Sequence, residues 1–491
     1  MAQPEKAIIR SISDPSIALD VIDIHDIDTG TYDGAEAKPQ TQKMSGDLSV
    51  RYPYIKINGY IFQDAEIDDM TIDCTGFIPT ISLNVVMSGS GTFVGQAMPK
   101  DGDIVSVFIR SRNDAFKPIR NDYVITAVNT DGGDTNGKGA TISFSGTLFI
   151  PGLYDEDARS FEGTSFETLQ KIASDLKLGF ATNENATADS QIWLCPNENY
   201  EEWIKHIHGS MWKDDRSYYI IFIDVYYHMN VINVNNQFSD GYEIDTAILD
   251  TLMKPSSSDV LGDPEDVQEI AEKVFSNVEE FKGGASYIKE YKVTNNSSRI
   301  SKNHGYKTMV TIFDMNSQSP WEFDIDPINT EGSGTNKIIL KGRPNPTGNL
   351  PNTDTWKTQI KKRYLGIQYS KPEHNVHDKY LYAKLFNDRN NIELDKLFIT
   401  ITVAGINFNV YRGERTPCFF MNENDPQQQQ FNRADGEELD SADMDPTINN
   451  FYTGYYMLSG FKFNYNLIND AEGIRKFSSE YVLKRREWPV P

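Results

Sequence analysis

Residues 218–234 read Tyr-Tyr-Ile-Ile-Phe-Ile-Asp-Val-Tyr-Tyr-His-Met-Asn-Val-Ile-Asn-Val, from Tyr218 to Val234. Aromatic and β-branched side chains at this density predict a strand or a hairpin. Two helical patterns lead into it. The first spans Phe166 to Leu178, with Phe166, Leu169, Ile172, Ala173 and Leu176 on one face. Thr164 or Ser165 can cap it, with Glu167 or Thr168 in the first turn, and Gly179 stops it. The second spans Asn199 to Met211, with Trp203, Ile204 and Ile207 inward. A polar run, Phe161 to Ser165, precedes both. Two helices feeding an apolar strand or hairpin make a compact α/β unit, and the regions on either side are β-rich.

Upstream, Tyr52 to Pro151 carries six strand patterns: Tyr54–Phe62, Met70–Thr75, Ile81–Met87, Ile104–Arg110, Tyr123–Asn129 and Ala140–Ile150. Gly- and Asp-rich turns separate them, which predicts a small antiparallel barrel or sandwich. Residues 1–49 are polar and acidic and form an N-terminal arm. Downstream, Lys254–Asp263 has a linker composition, and Pro264 to Lys282 reads as an amphipathic helix closed by Gly283-Gly284. Strand patterns return at Tyr287–Thr294, Tyr306–Phe313, Trp321–Ile325 and Lys337–Leu340. They return again at Leu397–Val403, Ile406–Tyr411, Thr416–Met421, Tyr455–Tyr465 and Ser478–Trp488. The expected class is α+β and β-rich. Its parts are the arm (1–49), a first β-barrel (50–155), an inserted α/β domain with linker and helix (156–285), an extra β-rich segment (286–370) and a second barrel (371–491). Residues 422–450 interrupt the second barrel with four consecutive Gln, eight acidic residues and one Arg, the composition of an exposed insertion.

The 491 residues hold 47 Lys and Arg against 71 Asp and Glu, a net charge of −24, which disfavours attraction to nucleic acid. The three cysteines, Cys74, Cys195 and Cys418, lack CxxC spacing and read as buried thiols of a reducing environment. No signal-peptide pattern and no 18-residue apolar run occurs, so no membrane span is expected. His206 and His208 are two apart on a helix and face different ways; His374 and His377 lie in a polar loop without a Cys or Glu cluster. No HExxH, GxSxG, P-loop or GxGxxG motif is present. Catalytic, cofactor and metal sites are therefore expected to be absent.

The two β regions share an order of elements. Ile81–Met87, Gly102-Asp103 entering a strand, Tyr123–Asn129 and Ala140–Ile150 are matched by Leu397–Val403, Gly413-Glu414-Arg415, Tyr455–Tyr465 and Phe477–Trp488. A duplication gives this order, and so do two unrelated antiparallel barrels.

The run Tyr455-Tyr456-Met457-Leu458-Ser459-Gly460-Phe461-Lys462-Phe463-Asn464-Tyr465, with Phe477-Ser478 and Leu483 to Pro489, resembles the closing strands of baseplate hub proteins of contractile-tailed phages. Asn391–Met421 is similar to the preceding strands. Gly163-Thr164-Ser165, Tyr200–Trp212 and Tyr218–Asn233 resemble the α/β domain of the same hubs. The resemblance covers residues 50–240 and 375–491. It implies two tail-tube-like domains per chain and a homotrimeric adaptor between the sixfold tube and the threefold central spike. DNA would pass through the lumen, in transit only. The implied partners are self, the spike (as a separate protein), tube or tube-initiator proteins and baseplate wedge proteins. The implied location is the virion tail baseplate, after assembly in the host cytoplasm. Type VI secretion spike proteins share this hub fold. Candidate interface residues are Trp488, Arg485, Arg486, Tyr455 and Tyr465. Trp488 either meets a neighbouring subunit or plugs its own barrel. A tail-associated cell-wall hydrolase and a peripheral receptor-binding adhesin are the alternatives, to be separated by muralytic activity and by position off the tail axis.

Removal of the acidic insertion is the test of its exposure. A chain in which a short Gly-Ser linker replaces residues 424–447 is expected to keep its β-type circular dichroism and its solubility. Loss of either would show that the insertion belongs to the core.

Overall fold

The computed structural model describes residues 10–11, 53–87, 98–110, 118–131, 140–214, 217–238, 274–277, 286–296, 307–315, 317–325, 360–368, 376–395, 397–408, 410–421, 449, 452–469 and 474–485. In chain order the strands are β1 (Arg10–Ser11), β2 (Tyr54–Ile57), β3 (Tyr60–Ile61), β4 (Ile67–Asp73), β5 (Thr80–Met87), β6 (Ile104–Ile109), β7 (Ile119–Asp131), β8 (Ala140–Leu148) and β9 (Asp157–Gly163). Helix α1 (Ser165–Asp175), β10 (Gly179–Thr182), β11 (Gln191–Glu198), helix α2 (Tyr200–Ser210), β12 (Tyr219–Ile223) and β13 (His228–Asn233) follow. Then come β14 (Phe275–Ser276), β15 (Ile288–Asn295), β16 (Lys307–Asp314), β17 (Ser319–Ile325), β18 (Ile360–Gln368) and helix α3 (Tyr380–Leu394). The last four strands are β19 (Leu397–Ala404), β20 (Arg415–Phe419), β21 (Gly454–Asn469) and β22 (Ile474–Lys484).

One large sheet organises the chain. Its order is β15-β19-β22-β21-β4-β5-β8-β7-β6-β2-β3, with β20 paired to β21 and β14 paired to β20. The two β regions read from the sequence are therefore halves of a single sheet, antiparallel except at β14. Strand periodicity does what is expected: β19 buries every second residue, Leu397, Ile399, Ile401 and Val403.

The α/β unit forms as its sequence predicts. Thr164 caps α1 in a capping box with Glu167. Asn199 caps α2 through Glu202. The buried Asp189 carboxylate accepts from Ser165 N and Trp212 N, so it ties the start of α1 to the end of α2. Residues 218–234 make an antiparallel hairpin, β12 and β13, whose turn is closed by Asp224 accepting from Tyr226 N and His228 N. β10 joins β13 in parallel, and Arg10–Ser11 of the arm adds an antiparallel edge strand to β10.

Several expectations are corrected. Phe275–Ser276 lies within the range read as a helix, yet it forms β14, parallel to β20. Phe275 packs on Tyr481 with ring centroids 5.0 Å apart, and the Asn277 side chain bonds Met421 N and O. The remainder of 264–282, apart from 274–277, lies outside the described residues. Of the strand expected at Ile406–Tyr411, the described residues 406–408 and 410–411 form a loop. Gly405 turns the chain at φ 76°, and Asn407 N donates to Tyr481 Oη. Ile406, Phe408 and Val410 are buried from that loop, which produced the strand-like alternation. Helix α3 went unread because its apolar residues serve two neighbours. Ala383, Phe386 and Leu394 pack with Trp212 and Tyr218, whereas Leu385 packs with Val310 and Ile312. The β9–β11 pair also went unread. Ile288–Asn295, grouped with the 286–370 segment by sequence, is the outermost strand of the large sheet. β16, β17 and β18 make a separate small sheet. The strand expected at Lys337–Leu340 and most of the acidic insertion lie outside the described residues. At the insertion's base, Asn449 N donates to Phe420 O.

Asp122 on β7 is a buried carboxylate, and burial pushes it up to about 6 against a hydrogen bond from Ser106 that lowers it. Both states are protonated below the unfolded pKa near 4. As pH rises from there through about 6, the unfolded chain releases its proton first and the fold loses stability. The loss is on the order of 2 kcal/mol above pH 6. Asp122→Asn should raise the melting temperature at pH 7 by several degrees and leave it nearly unchanged at pH 4. An equal change at both pH values would rule out this titration.

Candidate assembly interface

The halves of the large sheet correspond strand by strand in pairing order. β4-β5-β8-β7-β6 in the first half corresponds to β15-β19-β22-β21-β20 in the second. The irregularities match as well. In β4 and β15 the register shifts after Ile67 and after Ile288, opposite Val85 and Val403. In β7 and β21 it shifts after Ile125 and after Leu458, opposite Gly146 and Leu483. A bulge inserts one residue at a specific ladder position, so coincident bulges in two ladders are a far narrower match than strand order.

The turns entering β6 and β20 agree atom by atom. Gly102 and Gly413 both take positive φ, 89° and 83°. Gly102 N donates to Ile125 O and Gly413 N to Leu458 O, each at the bulge. Ile125 N returns to Asp103 O and Leu458 N to Glu414 O. The Asp103 carboxylate accepts from Lys100 N, and the Glu414 carboxylate accepts from Tyr411 N. The Gly-plus-acid turn seen in the sequence is thus the signature of a duplicated unit. The direction of the sixth strand differs: β2 is antiparallel to β6, whereas β14 is parallel to β20.

The two units join where the far end of β21 pairs with β4, in the register Lys462↔Asp73, Phe463↔Ile72, Asn464↔Thr71 and Tyr465↔Met70. Lys462 Nζ stands 2.8 Å from Asp73 Oδ2, and Thr71 Oγ1 donates to Asn464 Oδ1 at 3.0 Å. Burial raises the Asp73 carboxyl, but hydrogen bonds from Lys462 and Thr75 outweigh it and hold the group below its usual range. The pair is partly exposed, so it selects register more than it adds stability. Gly460 lets the strands approach closely: a Cβ there would lie 3.0 Å from Thr75 Cα.

Arg412 locks this junction. Its Nε donates to Ser459 O at 2.7 Å, Nη2 to Thr75 O at 3.0 Å, and Nη1 to Gly76 O. Its guanidinium lies 4.2 Å from the centre of the Phe222 ring of the α/β unit. Burial lowers the Arg412 pKa to about 10, still far above neutrality. The hairpin turn of the α/β unit sits beside it. Ile223 N donates to Phe77 O, the Asn121 side chain donates to Val225 O, and Asp122 N donates to the Tyr227 hydroxyl. Both sheet units and the insert therefore meet at one point.

Of the sequence-nominated interface residues, Arg485 is 1% exposed, with Nη1 bonded to Thr453 O and its guanidinium over Tyr456 at 5.1 Å. Tyr465 is also buried, packed on Phe477. Both are held inside this chain by the second unit's own core. Tyr455 is half-buried beneath the Arg415 guanidinium, 3.8 Å from the ring centre. Arg486 and Trp488 lie outside the described residues. Arg412 carried no sequence signal, because its three acceptors are main-chain carbonyls. All three cysteines are buried and free. His206 reaches Tyr380 and His208 reaches Tyr219 O, on different sides of α2. His377 is buried against Ser210 O, and His374 lies outside the described residues. Among the described residues no cluster of His, Cys, Asp and Glu suited to a metal occurs. No described helix is long and apolar enough to cross a membrane.

No family model and no curated protein matches the chain. Among solved structures it is similar to a tail protein from Neisseria meningitidis MC58, with 13% identity, 88% of this chain and 96% of that one covered, and a TM-score of 0.46. It is similar to the 43 kDa tail protein of prophage MuSo2 from Shewanella oneidensis, with 10% identity, 88% and 98% covered, and a TM-score of 0.46. It is also similar to a chain of a Francisella PdpA-VgrG complex, with 10% identity, 89% and 58% covered, and a TM-score of 0.38.

Replacing Arg412 tests its role at the junction. Arg412→Ala leaves three carbonyls without their donor and should destabilise by about 2–4 kcal/mol. Arg412→Lys keeps the charge but not the planar fork, and should recover less than half of that. A loss below about 0.5 kcal/mol in urea unfolding of Arg412→Ala would remove it from this role.

Proposed function

We propose that this chain is a structural baseplate hub of a contractile phage tail. It acts as a homotrimeric adaptor between the sixfold tail tube and the threefold central spike. The observation that carries the reading is the bulge-for-bulge duplication of the sheet unit. A chain with two equivalent units lets three copies present six positions to a sixfold neighbour while keeping threefold symmetry toward a spike. The resemblance of Tyr455–Tyr465 and of the α/β insert to hub proteins supports the same assignment. In this reading the units line a channel through which DNA passes, and the net charge of −24 favours a wall that does not retain phosphates. Partners would be tube or tube-initiator proteins on one face, the spike on the other and wedge proteins outside. The role is non-enzymatic.

Native mass spectrometry of the full chain is expected to show a species of three 55.7-kDa chains that persists on dilution. Imaging of the baseplate is expected to place it on the tail axis. A monomer at high concentration, together with a peripheral position, would overturn the reading.

A further inference from the structure

The large sheet has a second edge equivalent to the one already used at the junction. β4 is covered by the far end of β21. Its counterpart β15 is the strand at one end of the sheet, and among the described residues it pairs with β19 alone; just before it, Tyr287 is bridged to Ser276, and no described strand pairs with Lys292 to Thr294 on that edge. The counterpart of the far end of β21 is the far end of β7, where Asn129, Thr130 and Asp131 correspond to Lys462, Phe463 and Asn464. That end pairs with β8 on one side, while its β6 ladder stops at Val124 on the other.

Exposure follows the pairing. Met70 and Ile72 of β4 are 0% exposed, whereas Tyr291, in the place of Met70, is 39% exposed and Val293, in the place of Ile72, is half-buried. Lys292, Asn129 and Thr130 are exposed. An exposed strand edge of this length is a template for pairing with another chain.

We propose that β15 is paired, antiparallel, by residues 129–131 of β7 in a second copy of this chain, repeating between subunits the β21–β4 junction found within one. Carrying the internal register across gives Asn129↔Thr294, Thr130↔Val293 and Asp131↔Lys292. Each pairing is chemically matched: two small polar residues, two β-branched residues, and an aspartate opposite a lysine. A slip of one residue would set Asp131 against Val293 and turn every side chain to the other face. The contact uses two different patches, so it propagates head to tail, and the three copies of the assembly reading close it into a ring. The inference rests on the assembly reading above for the number of copies and adds which strands meet and in what register.

The test uses the full-length chain carrying Thr130→Cys and Val293→Cys together, with each single variant as control. Mild oxidation is expected to yield disulfide-linked dimers and trimers on a non-reducing gel for the double variant alone. Separately, Asp131→Lys and Lys292→Asp should each raise the concentration for half-dissociation about fivefold, and the double swap should restore it. A trimer that neither cross-links nor responds to the swaps overturns the edge pairing and leaves the hub reading standing. A cross-link confined to single chains overturns the pairing in the same way. A monomer at every concentration overturns both.

Discussion

The fold depends on one guanidinium. Arg412 offers its planar set of donors to three main-chain carbonyls, two on the loop after β4 and one at the bulge of β21, and rests on Phe222 of the insert. Carbonyls at strand ends and bulges have lost their ladder partners and need another donor where water is scarce. A single side chain that satisfies three of them fixes the relative position of the two segments that carry them, and its contact with Phe222 adds the insert. Arginine suits the task because its charge survives burial and its geometry is rigid. Loops around it carry the remaining links, such as Asn121 to Val225 O.

The duplicated unit explains why the sheet is continuous. Each unit has one strand that projects past its neighbours, β7 or β21, and one strand at its border, β4 or β15; β4 is paired by β21, and among the described residues β15 is paired by β19 alone. Within the chain, projection and edge meet once, at Lys462–Tyr465 against Met70–Asp73. Main-chain pairing gives cohesion there, and Lys462–Asp73 and Asn464–Thr71 specify the register. The matched bulges disrupt and bend the two ladders at the same positions, because a bulge sets local strand bend.

The insert is more than a lateral decoration. Its hairpin turn, Asp224 to Tyr227, is fastened to β7 of the first unit and sets the Tyr226 ring, tilted, beside Tyr411 of the second, ring centres 6.1 Å apart. Helix α3 covers its far side, where Asn387 donates to Met211 O and His208 O at the end of α2. The terminal carbonyls of α2 thus find donors in a helix almost two hundred residues away.

The sequence by itself determined the local elements of this protein: the capped helices at Ser165 and Tyr200, the hairpin at 218–234, the alternating strands, and the Gly-plus-acid turns at Gly102 and Gly413. Each of these is decided by neighbours within a few residues, through caps, periodicity or positive φ. The tertiary structure alone decided which strands share an edge. β15 belongs with β19 although a hundred residues separate them, Phe275 leaves a helical pattern to pair with Cys418, and α3 hides its periodicity by packing on two sides. It also decided the roles of the arginines. Arg485, charged and almost terminal, is buried beneath Tyr456, and Arg412 became the fastening of the whole, because its partners are carbonyls whose positions no residue type encodes.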